Sequence, residues 1–288
     1  MIVDKLAIVG AGLIGGSFAL ALKQAGAVGE VLGVGRSAES LATARERGLI
    51  DRAVEWDTAA QADCILLAMP VGETGAVLGK LVPHLKPGAI VTDAGSTKAD
   101  VIAVARAVLK GRFSDFVPGH PIAGSEQSGP LAARVDLYQG RKVVLTPEPD
   151  TSAAALATVQ ALWTATGAQV ERLEATLHDR IFAAVSHLPH LAAFTLVDEL
   201  AQRADGDTYF RFAASGFRDF TRIAGSSPEM WRDIALSNRV ALLTELDAYL
   251  AGLQNLRAAV EAGDAEALLN IFSRARIARE NWIETQDS

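Results

Sequence analysis

The chain is short of cysteine, of positive charge and of long apolar runs. Cys64 is its single cysteine among 288 residues. One thiol makes no internal disulfide, so no disulfide framework holds this fold. Cys64 stands in the apolar run Cys64-Ile65-Leu66-Leu67-Ala68, where a buried cysteine behaves as a small hydrophobe. That fits a reducing compartment. Lys and Arg number 27 against 34 Asp and Glu, a net charge of -7. The balance lacks the clustered basic face that nucleic acid requires, so no nucleic-acid partner is expected. It reads as the charge of a soluble cytoplasmic protein. No uninterrupted apolar run reaches the roughly 18 residues of a membrane span. The start, Met1-Ile2-Val3-Asp4-Lys5, lacks the basic and apolar regions of a signal peptide. No membrane partner and no secretory route are expected.

What is present describes a globular chain with a sizeable core. Half of the residues are hydrophobic and 21% are charged, as in ordinary soluble domains. The length favours two domains. Short apolar runs alternate with helical patterns up to about residue 172. Leu6-Ala7-Ile8-Val9 reads as a buried strand, and Ile14, Phe18 and Leu22 follow at helical spacing. Val31 to Val34, Cys64 to Ala68, Ala89 to Thr92, Phe116-Val117, Val143 to Thr146 and Gln169 to Leu173 are further strand candidates. A helix is expected from Thr151 to Thr166. Strand alternating with helix implies a parallel sheet covered on both faces. From Glu174 onward the strand pattern stops. Leu236, Val240, Leu243, Leu246, Leu250 and Leu253 form a helical stripe, and Leu268, Leu269, Phe272 and Ala275 begin another. The expected domains are therefore residues 1–172 and an all-helical 173–288. The apolar helices either pack on the first domain of a monomer or join two copies as a homodimer. The dimer is the favoured reading.

Gly10-Ala11-Gly12-Leu13-Ile14-Gly15 matches the dinucleotide fingerprint in its confirming context, after the first strand and at the start of a helix. Gly10 permits the tight turn, Gly12 lets the backbone approach a pyrophosphate, and Gly15 lets helix and strand pack closely. Unpaired N–H groups of the helix start then face the phosphates. Gly16 and Ser17 extend this small-residue surface. The first fold expectation is thus an α/β Rossmann-type parallel-sheet domain, followed by an all-α domain. NAD binders carry Asp or Glu about 20 residues on, to accept from the ribose hydroxyls. Here that place holds Gly35-Arg36-Ser37. A guanidinium and a hydroxyl suit a 2′-phosphate, so NADP is favoured over NAD. The competing reading is that Arg36 only opens a solvated helix.

Ligands of an open parallel sheet sit beyond the carboxyl ends of its strands. Met69-Pro70-Val71, Asp93-Ala94-Gly95-Ser96-Thr97-Lys98 and Pro118-Gly119-His120-Pro121-Ile122-Ala123-Gly124-Ser125-Glu126 all stand at such ends. Met69 and Pro70 are read as cofactor contacts. His120, on a loop held between prolines and glycines, is placed to accept a proton during hydride transfer. A purely structural histidine is the alternative. Glu126 is a candidate pocket-lining residue.

At this point the chain resembles the prephenate and arogenate dehydrogenases of tyrosine biosynthesis. The matching stretches are Gly10 to Ser17, Asp93 to Lys98, and His120-Pro121-Ile122-Ala123-Gly124. Ser186-His187-Leu188-Pro189-His190, Gly216 to Ala224 and Met230-Trp231-Arg232-Asp233-Ile234 continue the match through the helical half. The resemblance implies oxidation of a cyclohexadiene that carries a ring carboxylate and a ring hydroxyl. Hydride passes to the nicotinamide, carbon dioxide departs, and 4-hydroxyphenylpyruvate or tyrosine is formed. It also implies that His120 takes the hydroxyl proton and that Ser96 orients it. Arg222 is implied as a carboxylate-binding fork, His190 as a second active-site histidine, and Gly124 and Asp219 as substrate-side residues. Asp219 would position His190 or Arg222. His190 and His187, three apart on a helix, are otherwise core residues. A zinc site fails for want of further ligands, so no metal is expected. Trp231 reads as packing, and His84 and His178 have no assigned role. The chain stops near Trp282-Ile283-Glu284, so no regulatory domain is expected and tyrosine inhibition would be competitive. Two other readings stand beside this one. One is another two-domain NADP dehydrogenase or reductase, such as a hydroxyacid dehydrogenase or imine reductase. The other is a non-catalytic NADP-binding module.

Overall fold

A computed structural model describes residues 1–125 and 127–287. Glu126, the candidate pocket residue, lies outside the described residues. The first half alternates strands and helices: β1 (Val3–Val9), α1 (Leu13–Gln24), β2 (Val28–Val34), α2 (Ala38–Glu46), β3 (Arg52–Ala53), α3 (Trp56–Ala59), β4 (Cys64–Leu67), α4 (Thr74–Leu81), β5 (Ile90–Asp93), α5 (Ala99–Leu109) and β6 (Phe116–Val117). These strands form a parallel sheet in the order β3-β2-β1-β4-β5-β6. The order reverses between β1 and β4, and such a switch point opens a crevice at the strand ends.

Side chains alternate across the sheet, as a period of two requires. Leu6 and Ile8 of β1 face one core with Phe18, Leu22, Cys64 and Trp163. Ala7 and Val9 face the other with Ile65, Leu78, Val101 and Phe116. Two covered faces explain why β1 and β4 read as continuous apolar runs. Burial pushes the Cys64 thiol up to about 12, so this lone cysteine is inert packing.

The chain then continues through β7 (Gly119–Pro121), β8 (Lys142–Leu145), α6 (Ala153–Ala165) and β9 (Gln169–Arg172). The parallel-sheet expectation needs correcting here. β7, β8 and β9 form a separate three-stranded sheet, antiparallel between β7 and β8. The turn after Val117 leads the chain out of the first sheet, so the later apolar runs pair with one another. His120 therefore stands on a strand and not on the loop expected from its flanking prolines. Its backbone register is set against Val144.

The remaining chain is helical: α7 (Ala175–Phe182), α8 (Leu188–Ala201), α9 (Gly206–Phe212), α10 (Ser215–Thr221), α11 (Pro228–Ser237), α12 (Arg239–Ala262) and α13 (Ala265–Asp287). A π-turn, Ala183–His187, joins α7 to α8 without a break. The resulting helix, Ala175–Ala201, is long and apolar enough to cross a membrane by length and composition alone. Polar residues divide it, so it contains no uninterrupted apolar run of that length. By packing, the chain divides into Met1–Arg239 and Val240–Ser288. The helices from α7 to α11 thus belong with the sheets, although the strand pattern ends at Arg172. Within Val240–Ser288, Val240, Leu243, Leu250, Leu253, Leu269, Phe272 and Trp282 are exposed.

Candidate active site

The glycine loop shows which of its residues answer to the protein and which to a ligand. Gly10 adopts φ +91, and a Cβ there would lie 2.7 Å from the Ala68 carbonyl oxygen. A Cβ on Gly15 would meet the Gly10 carbonyl and stand 2.6 Å from Ile8 Cγ2. Both are glycine for internal reasons. A Cβ on Gly12 would meet nothing nearer than Gly129 Cα, at 3.8 Å. Nothing in the protein demands glycine there, whereas close approach of a ligand backbone does.

Two cavities meet at this loop. One, of about 300 Å³, is lined by Gly10, Gly12, Gly35, Arg36, Ser37, Met69 and Pro70, with Glu73 and Lys80. The other, of about 430 Å³, is lined by Gly12, Leu13, Ile14, Met69, Pro70, Ser96, His120 and Gly124. They share Gly12, Ala68, Met69, Pro70 and Gly129. This is the cradle of an elongated ligand, with glycine backbone at its middle. A nicotinamide dinucleotide would fit it, with Gly10 to Gly15 available to hold a pyrophosphate, Gly35 to Ser37 an adenosine ribose, and the wall that carries His120 a nicotinamide. Ser37 also caps α2, its Oγ accepting from Ser40 N at 3.1 Å. Arg36 is not idle: Nη1 lies 3.3 Å from Glu73 Oε1.

The strand bearing His120 is pinned from below. Lys98 is fully buried; its ammonium pairs with Asp93 and donates to the Gly119 carbonyl at 2.7 Å. Asp93 accepts from Gly119 N at 3.1 Å and from Gly95 N at 2.8 Å. Breaking such a buried pair is costly because it strands a charge. The Asp93 to Lys98 segment thus holds Ser96 and β7 in place around the cavity.

The resemblance assigned the orientation of His120 to Ser96. The geometry assigns it elsewhere. His120 Nδ1 lies 2.9 Å from His178 Nε2, and His178 Nδ1 lies 2.8 Å from Asp179 Oδ1. Ser96 shares the cavity wall without a place in that chain. Burial pushes the His120 imidazole well below its ordinary range, helped by the nearby His178, Lys98 and His187. The ring is therefore neutral near pH 7. A neutral imidazole on a cavity wall can accept a proton.

Other expected residues stand outside the cavity lining. His190 is half-buried, donates from Nδ1 to the Ser186 carbonyl at 2.8 Å, and stacks on Trp231 at 3.7 Å. Trp231 is thus packing for His190, and its neighbours Met230 and Ile234 line the larger cavity. Arg222 opens the turn Arg222–Gly225 that leads to the lining residues Ser226 and Ser227. Its charge helps hold the His190 imidazole low, after burial. Asp219 is exposed and pairs with Arg218 at 3.6 Å, so it positions neither His190 nor Arg222 here. His187 is buried and takes a hydrogen bond from Asn238 Nδ2 at 3.1 Å, while burial lowers it to about 4. It is a core residue. Among the described residues no group of His, Cys, Asp and Glu could hold a metal.

His178 and Asp179 were missed from sequence. An adjacent His-Asp pair on an apolar helix was the available signal, since two polar groups on a buried face need partners.

Comparison with known proteins gives the family. Residues 18–172 match the family model for the nucleotide-binding domain of prephenate dehydrogenase. Residues 174–274 match the model for its dimerization domain. The chain is 36% identical to the cyclohexadienyl dehydrogenase of Zymomonas mobilis, over 95% of this chain and 94% of that one. It is 37% identical to the prephenate dehydrogenase of Bacillus subtilis, over 96% of this chain and 76% of that one. The crystal structure of the Aquifex aeolicus prephenate dehydrogenase with hydroxyphenyl propionate and NAD+ superposes with a TM-score of 0.90 at 36% identity, covering 96% of this chain and 98% of that one. The chain belongs to the prephenate dehydrogenase family of oxidoreductases.

Proposed function

We propose that the chain catalyses oxidative decarboxylation of prephenate, arogenate or both, with His120 as the proton acceptor. The observation that carries this reading is His120: a neutral imidazole on the cavity that begins at the glycine loop. A bound nicotinamide dinucleotide supplies the hydride acceptor. The residues do the rest. Residues 1–172 hold the cofactor through Gly10, Gly12, Leu13, Ile14, Met69 and Pro70. Residues 173–288 contribute substrate contacts and join two copies. His120 takes the proton from the ring hydroxyl as the carbinol hydride leaves; the ring carboxylate departs as carbon dioxide, its bonding pair makes the ring aromatic, and His120 returns the proton to the ring oxygen to give the phenol. Ser96, on the same wall, is placed to bond the hydroxyl. Arg222 and His190 receive the substrate's carboxylate side, with Arg222 as the planar fork.

NADP is the proposed cofactor, in preference to NAD. No carboxylate stands at the end of β2, and Arg36, Ser37 and Lys80 line the smaller cavity. The Arg36 pair with Glu73 is exposed and weak enough for a phosphate to displace it. The helix Ala175–Ala201 is read as a core helix, because His178, Asp179 and His187 are bonded inside the protein. The chain is proposed to act in the cytoplasm as a homodimer, with neither membrane nor nucleic acid as a partner.

Initial rates with prephenate and arogenate, each with NADP and with NAD, test this reading. Reduction of NADP with at least one substrate is expected, falling on Arg36→Ala while the rate with NAD holds. Turnover of neither substrate would overturn the reaction. A strong preference for NAD in the parent would overturn the cofactor assignment.

A further inference from the structure

Two buried titratable groups beside the cavity have no part in the reaction as written above. His178 is 0% exposed and Asp179 is 5% exposed. Asp179 Oδ1 accepts from Lys98 N at 2.8 Å, and Oδ2 accepts from Ala99 N at 2.9 Å. A carboxylate held by backbone donors has only acceptor capacity left to offer. The contact of 2.8 Å between Asp179 Oδ1 and His178 Nδ1 therefore places the proton on Nδ1. Burial holds the His178 imidazole below its ordinary range, against the opposing pull of Asp179. A neutral ring with its proton on Nδ1 carries a lone pair on Nε2. That lone pair faces His120 Nδ1 at 2.9 Å and is satisfied only by an N–H.

We propose that His178 and Asp179 are positioning residues that hold His120 as its Nδ1–H tautomer, so that the Nε2 lone pair is presented to the substrate hydroxyl. The inference rests on the reading of His120 as proton acceptor. Among the described residues of the site nothing else fixes that tautomer. Ser96 shares only the wall, and Lys98 is committed to Asp93 and the Gly119 carbonyl. The ring is steadied edge-on by Phe182, with centroids 4.9 Å apart. Phe182 has no polar atom with which to choose a tautomer. Other charged or titratable groups near the pair are Asp93, Lys98 and His187. His187 is turned away towards Asn238, which also donates to the Asp179 carbonyl at 2.7 Å.

Asp179 has a second duty. It accepts from the backbone N–H groups of Lys98 and Ala99 at the start of α5, two and three residues after Ser96. One carboxylate therefore supports both segments that reach the cavity, Ser96 through α5 and His120 through His178. Substitution of Asp179 would disturb both, so His178 is the cleaner site to test.

The test is made on the whole chain. In the parent at pH 7.5, the ¹⁵N resonances of the His120 ring should show a protonated Nδ1 and a bare Nε2. The reverse assignment, or an even mixture, would overturn the proposal. His178→Leu should lower kcat by roughly 100-fold, with KM and cofactor Kd within about threefold of the parent. His178→Gln keeps an acceptor near the position of Nε2 and should recover turnover to within about tenfold of the parent. Equal losses in the Leu and Gln variants, or no loss in either, would overturn it. If His178→Leu does not fold, the parent resonances and the Gln variant still decide. A parent inactive on both substrates would remove the reaction assignment and leave the tautomer measurement standing.

Discussion

At the scale of single residues, the proposed chemistry rests on a histidine made neutral by its surroundings. His120 loses solvation in the cavity and faces the further positive charge of Lys98. Both effects disfavour the imidazolium. The acid limb of kcat/KM should therefore lie well below pH 6.5, where an unperturbed histidine would titrate. A pH–rate profile checks this, and a limb at or above 6.5 would contradict the burial argument. His120→Asn should lower kcat by roughly 10²- to 10⁴-fold while cofactor Kd, followed by fluorescence titration, stays near the parent value. His120 stood out in sequence because the segment around it, held between prolines and glycines, has an unusual composition. Its partner was not. His178 looked like one more histidine on an apolar helix, and only tertiary packing brings it 58 residues back to His120.

At the scale of elements, the β1–α1 turn separates internal from external demands. Gly10 and Gly15 are held to glycine by backbone conformation and by close packing. Gly12 is held by nothing inside the protein. Gly15→Ala should lower stability by about 1–3 kcal/mol, since overpacking displaces Ile8 or the turn. Gly12→Ala should leave the thermal midpoint nearly unchanged and weaken cofactor binding by about tenfold. Calorimetric titration beside thermal melts separates the two. A Gly12→Ala protein that binds as the parent does would count against a pyrophosphate at this loop. The fingerprint was legible because it needs only local geometry. The second sheet was not. Val143 to Leu145 has the apolar texture of a central strand and Gln169 to Arg172 alternates without it, and neither pattern names the neighbour.

For the whole molecule, two consequences follow from what is buried and what is not. His120, His178 and His187 are all held below their ordinary range, chiefly by burial. A histidine with a lowered folded-state value stabilises the fold above its unfolded value of about 6.5, and this stability is lost as pH falls through that value. For His187, lowered to about 4, the contribution is on the order of 2–3 kcal/mol. Thermal midpoints should thus fall between pH 7 and pH 4, and His187→Gln should flatten the slope. A midpoint that rises on acidification would refute this. The other consequence concerns the apolar side chains along α12 and α13. Leu250 is 52% exposed and Phe272 is 56% exposed in the single chain. Exposed apolar surface on this scale marks an interface. Sedimentation should show a dimer, and Leu250→Glu with Phe272→Glu should shift it towards monomer. A monomeric parent would remove the dimer assignment.

The sequence by itself determined what depends on local order: the alternation of strands and helices, the glycine turn, the missing carboxylate at Gly35, and the motifs that carry the family. Each is written in neighbouring residues, so spacing and residue type suffice. The tertiary structure decided what depends on contacts between distant segments. It placed β7 to β9 in their own sheet, set Asp219 apart on the surface, and buried Lys98 beneath β7. Above all it gave His120 its partner, because a tautomer is chosen by whichever group stands across from the ring nitrogen, and that group lies on a helix 58 residues further along the chain.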